Sequence, residues 1–94
     1  MEKYIVVIEK GENNYSAFSP DVWGCVATGK TVEEVTEEIK EALQFHIESM
    51  VESGEDVPQP KGLLYHINEG VFKDDEIEPK YYITEVNVPV PQHA

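Results

Sequence analysis

Apolar and polar positions alternate with two different periods along this chain, and the change of period divides it into elements. Tyr4 to Glu9, "YIVVIE", is dense in β-branched side chains, with Tyr4, Val6 and Ile8 on one face and Ile5 and Val7 on the other. A strand apolar on both faces is normally central and covered on both sides. One helix can cover one face, so a second cover is required for Ile5 and Val7. Gly11-Glu12-Asn13-Asn14 is a turn cluster, and Tyr15 to Ser19 returns as the second strand of a hairpin. Pro20-Asp21-Val22-Trp23-Gly24 breaks the alternation and reads as a loop, and Cys25 to Thr28 reads as a short third strand.

At Thr31 the period becomes helical. Thr31-Val32-Glu33-Glu34 has the form of a capping box, in which hydroxyl and carboxylate satisfy free backbone N–H groups. Val32, Val35, Ile39, Ala42, Leu43, Ile47 and Met50 then form an apolar stripe, and the glutamates fall largely off it. Gly54 is a natural stop, and Pro58 and Pro60 keep the helix from resuming. Between Lys61 and Lys80 the pattern is weak. A short helix over Gly62 to Glu69 is expected, with a hairpin as the alternative, and Asp74-Asp75-Glu76 is expected as an exposed loop. Tyr81 to Val88 is a strand by composition, with Tyr82, Thr84, Val86 and Val88 on one face, and Pro89 and Pro91 end it. The 94 residues form one domain, 1–94, with no repeat and no low-complexity tract.

"GCVATGKT", Gly24 to Thr31, fits the phosphate-loop pattern G-x-x-x-x-G-K-[ST] at every specified position. The context is wrong. A phosphate loop follows a buried parallel strand and curls its N–H groups around an anion. Here a Pro-Asp turn precedes Gly24, and Cys25-Val26-Ala27 reads as strand. No later apolar strand ends in an aspartate that would hold magnesium. Nucleotide binding is therefore not expected, and no cofactor is.

Charge narrows the picture further. Nineteen acids face seven lysines, arginine is absent, and the net charge is −12. Such a surface repels nucleic acid, which is bound through cations, and favours encounter with a basic protein. No apolar run is long enough to cross a bilayer, and the N-terminus is not a signal peptide, so a cytoplasmic protein is expected. Cys25 is the only cysteine, and a packed apolar role suits it. His46 reads as a packed helical histidine, and His66 and His93 have no metal-ligand spacing. No nucleophile–base–orienter set assembles. No catalytic and no metal residue is assigned, and the chain reads as a non-enzyme.

Tyr15 to Val35, "YSAFSPDVWGCVATGKTVEEV", resembles the N-terminal signature of the HicB-like antitoxin family, approximately Y-x-A-x-x-P-D-hydrophobic-P-G-C-x-[ST]-x-G-x-T-x-x-E-A. Tyr15, Ala17, Pro20, Asp21, Gly24, Cys25, Gly29, Thr31 and Glu34 match. The likeness continues through Glu41-Ala42-Leu43 and His46 to Gly54, Pro58 and Pro60. Trp23 replaces the usual proline and Val35 the usual alanine, and Lys30 stands at a variable position.

The resemblance implies an α+β, partial ribonuclease-H-like fold. Its order is β-β-β-α-(short element)-β, with a mostly antiparallel sheet and one long helix packed on one face. The physical reading of the residues supplies the same order independently: Gly24 permits the turn after Asp21, Gly29 the strand-to-helix passage, and Asp21 is expected to hold the loop through its own backbone, the ordinary role of a turn aspartate. The first strand lacks the central acid a nuclease of this shape requires.

The implied function is neutralisation of a HicA-like toxin, a small basic mRNA-cleaving ribonuclease. Asp21, Trp23, Glu37, Glu41 and Glu48 are the expected partner-binding residues. Many members carry a C-terminal DNA-binding domain. None follows Val90, so toxin binding without direct nucleic-acid binding is expected. The alternative is a solitary homo-oligomeric HicB-like domain with no toxin, its free sheet face (Ile5, Val7) buried against another copy. A small enzyme related to ribonuclease H is the third possibility.

Overall fold

The computed structural model describes residues 2–70 and 81–90. They form six elements: β1 (Glu2–Lys10), β2 (Tyr15–Ser19), β3 (Val22–Gly29), α1 (Val32–Glu52), α2 (Leu63–Asn68) and β4 (Tyr81–Val88). The strands make one sheet in the order β3-β2-β1-β4, and every pair is antiparallel. The doubly apolar strand, β1, is central as its pattern requires. The fold class read from the sequence holds: an α+β sheet with one long helix on one face. The short element after the helix is α2, the helical alternative. The expected loop at Asp74-Asp75-Glu76 lies outside the described residues.

The core lies between α1 and the sheet. Tyr4, Val6 and Ile8 of β1, Ala17, Val22, Cys25, Val86 and Val88 meet Val35, Ile39, Leu43 and Ile47 of α1. The four helix residues recur every fourth position and are each fully buried. Thr31 caps the helix as its sequence demands, accepting from the Glu34 amide at 3.0 Å. Gly29 has a steric reason rather than a conformational one. A Cβ there would lie 2.7 Å from the Val35 amide nitrogen, so only glycine lets β3 pass this close to the start of α1. At the other end Gly54 adopts φ 74° just past the last turn.

Two boundaries differ from expectation. β3 starts at Val22, not Cys25, because a bulge carries the strand through the expected loop. Phe18 pairs with Val26 but Ser19 with Val22, which leaves Trp23, Gly24 and Cys25 without partners on β2. Gly24 takes φ 89° to make that excursion possible. Ile5 and Val7 are the second difference. Each retains only 2% of its exposure within the single chain, so neither is a free face awaiting another copy.

Candidate partner-binding site

Two surface features could meet a partner, and a third, internal one holds the loop beside them. The first is the outward face of α1. Glu34, Glu38, Glu41, Phe45, Glu48 and Glu52 are spaced by four and three residues in alternation, and all are exposed. That spacing puts them in one line opposite the buried stripe. Phe45 stands in the middle of it at 73% exposure. The helix holds seven glutamates and one lysine, Lys40, and its last turn has no basic residue.

This distribution weakens the helix. Like charges four residues apart, such as Glu34 with Glu38 and Glu48 with Glu52, each cost about 0.2–0.5 kcal/mol. Acids near the C-terminus oppose the helix dipole by about 0.3–1 kcal/mol each.

The second feature is the bulge of β3. It carries Trp23 out of the sheet to 71% exposure, stacked on Phe18 with ring centroids 6.3 Å apart. Val26, the register partner of Phe18, is as exposed as Trp23.

The third feature is internal. Continuing the β1–β2 register brings Ile5 opposite Pro20, where β2 has already ended. The Asp21 carboxylate takes the place of the missing strand. Oδ2 accepts from the Ile5 amide at 3.1 Å. Oδ1 accepts from the Lys61 amide at 2.9 Å and faces His66 Nε2 at 2.6 Å. A carboxylate without a proton only accepts, so His66 donates through Nε2. The Asp21 amide donates to Ser19 Oγ at 3.2 Å, and no buried side-chain polar atom among the described residues lacks a partner. Asp21 and His66 are both buried.

The residues expected at a partner surface therefore separate. Glu37, Glu41 and Glu48 are exposed on α1, and Trp23 is exposed on the bulge. Asp21 is not available: its side chain is buried and committed to three donors from other segments. It holds the loop through those segments, not through its own backbone. The structure brings Asp21 together with His66, a residue the sequence offered no reason to pair with it. Phe45 was also missed, although its place between Glu41 and Glu48 on the acidic line was readable from spacing alone.

Cys25 is buried, and burial raises its thiol pKa, which suppresses the thiolate. The Tyr4 hydroxyl donates to the Pro58 carbonyl at 2.9 Å. Burial first, then the charges of Glu2 and Asp21, raise its pKa. "GCVATGKT" forms the bulge, an antiparallel strand and the helix cap, with no nest of amides at an anion-sized curve. Among the described residues no group of three or more His, Cys, Asp or Glu side chains could hold a metal ion. No helix among them is long and apolar enough to cross a membrane.

An antiparallel four-stranded sheet backed by one long helix, its glutamates turned outward, defines a small α+β domain. Comparison with known proteins makes the class specific. Residues 4–91 match the family described as the HicB_like antitoxin of bacterial toxin–antitoxin systems. The chain belongs to that family.

It is 39% identical over 71 residues to an uncharacterized 14.9 kDa protein from the rep-hol intergenic region of Haemophilus phage HP1, covering 76% of this chain. The match spans about half of that relative's length, 53%. Among solved structures, a chain of a HicA3–HicB3 toxin–antitoxin complex is similar, with a TM-score of 0.71 and 25% identity over 93% of this chain and 98% of that one. The N-terminal domain of the Burkholderia pseudomallei antitoxin HicB shares the fold at a TM-score of 0.67, with 23% identity over 92% of this chain and 99% of that domain.

Proposed function

We propose that this chain neutralises a small, basic, HicA-like mRNA-cleaving toxin in the cytoplasm by covering the toxin's RNA-binding surface through protein–protein contact. It does so without chemistry of its own, without a cofactor and without touching nucleic acid. The observation that carries this reading is the glutamate line of α1 with Phe45 at its centre. An exposed aromatic side chain can anchor an interface by filling a partner's pocket, and a line of acids on either side of it suits a surface built to hold phosphates. Family membership supports the same reading.

The test is a titration. The product of the neighbouring gene, if small and basic, is assayed for cleavage of RNA while this chain is added. Cleavage is expected to cease at stoichiometric addition, and binding to weaken as salt screens the charges. The double change Phe45→Ala with Glu41→Lys should weaken binding by at least tenfold while leaving the circular dichroism spectrum unchanged, since both side chains are exposed. Absence of binding at low ionic strength would reject the proposal.

A further inference from the structure

The fold does not need the indole of Trp23. The side chain lies outside the core and is exposed, and the HicB-like pattern has proline at this position. The structure nevertheless builds a firm seat for the ring. Gly24 at φ 89° lets the bulge form. Phe18 backs one side of the indole, with 6.3 Å between ring centroids and 15° between planes, and the exposure of Trp23 leaves its other side to solvent. The registers align Phe18 with Val7 and Val26, on the face of the sheet away from α1. The other β2 and β3 positions of that face, Ser16, Val26 and Thr28, carry no charge.

We propose that Trp23 is a cation–π seat for an arginine side chain of the basic partner, and that it decides which basic partner this chain accepts. The face of an aromatic ring attracts a cation, and tryptophan does so best. Arginine suits the seat because its guanidinium is planar, stacks on the ring and is weakly hydrated. Charge selects this occupant. A net charge of −12 draws cations to the whole surface, and the β2 and β3 positions of this face hold neither a carboxylate to divert an arginine nor a lysine to repel it. Among the described residues the one cation set over an aromatic ring is Lys61, 5.9 Å from the centre of Tyr65, so Trp23 is left open. β3 is an edge strand, and a partner that wraps this edge meets α1 on one side and Trp23 on the other. The proposal rests on the reading of the partner as a basic protein and adds discrimination to it. The glutamates of α1 attract any cationic surface, whereas one ring favours the surface that sets an arginine opposite it.

Trp23 is the only tryptophan, so mono-, di- and trifluorotryptophan can be placed at this position alone in the full chain. Fluorine drains the negative ring face and leaves the apolar area nearly unchanged. Affinity for the product of the neighbouring gene is measured by calorimetry with each form, and again with an arginine-rich peptide. It is expected to fall stepwise with each fluorine, by about tenfold in all, and as far in Trp23→Leu, with the circular dichroism spectrum unchanged. The Phe45→Ala, Glu41→Lys double variant should bind more weakly throughout yet show the same stepwise ratio, since the two contacts lie apart. A neighbouring product that does not bind, beside a stepwise fall with the peptide, would reject the toxin reading and keep the seat. A flat or rising series with the neighbouring product, or with the peptide where that product does not bind, is what a purely apolar contact gives and would overturn the proposal. So would indole emission already shielded in the chain alone, because a second copy would then hold the ring.

Discussion

The packing beneath α1 and the clamp around Asp21 are held by different physics. Beneath α1, burial is redundant: eight sheet residues meet four fully buried helix residues, and each contributes a share that its neighbours partly replace. Around Asp21, one carboxylate ties β1, the chain at Lys61 and α2 together by three bonds. The first arrangement tolerates loss by degrees. The second either closes or leaves buried polar groups unpaired, and those cost far more than an absent methyl group.

The comparison is broken most severely at its polar end. Asp21→Ala orphans the Ile5 and Lys61 amides and the His66 ring, and should lower stability by about 4 kcal/mol, since each buried donor left without an acceptor costs about 1–3 kcal/mol. Hydrogen exchange in this variant should accelerate first in α2. Leu43→Ala removes a fully buried side chain from the redundant face. It should cost about 3 kcal/mol, with exchange accelerating evenly across α1 and the sheet. Equal effects on α2 from both variants would show that the core and the clamp are not separate units. Thr31→Ala deletes the cap bond to Glu34 and should cost about 1 kcal/mol, read from the chemical denaturation midpoint.

The smallest effect is alkaline. Burial raises the pKa of both Cys25 and Tyr4 above their ordinary values of 9.0 and 10.0. The folded state therefore keeps protons that the unfolded chain releases. Their contribution is complete below pH 9 and falls as pH rises through the folded-state values. Cys25→Ala should flatten the onset of that decline in a series of melting temperatures against pH, and Tyr4→Phe its later part.

The contrast also explains what could be read from the chain. The α1 side was legible because it is written as period: Val35, Ile39, Leu43 and Ile47 announce a buried stripe, and Tyr4, Val6 and Ile8 announce its partner. The identity of the central strand and the helix cap followed from the same kind of local rule. The Asp21 side was not legible in this way. Its donors lie 16, 40 and 45 residues away, and neither residue type nor spacing encodes such a meeting. A turn aspartate next to a proline has an ordinary local explanation, and the local explanation was the wrong one. The bulge was hidden for a related reason. Pro20-Asp21 and Gly24 spell a loop, and only the register shows the strand continuing past Trp23. Of the surface residues, the exposed glutamates followed from the helical pattern, whereas α2 inverts the usual sense of amphipathicity and defeats it.

The order in which the chain leaves the ribosome gives the Asp21 clamp a further meaning. When Gly54 has emerged, the hairpin and α1 can already form, yet β1 lacks its β4 flank and the carboxylate lacks two of its three donors. In a half-made chain the Asp21 side chain still lacks the segment that covers it. The Lys61 amide and the His66 ring supply its other two bonds, so the clamp can close only once the chain through α2 exists.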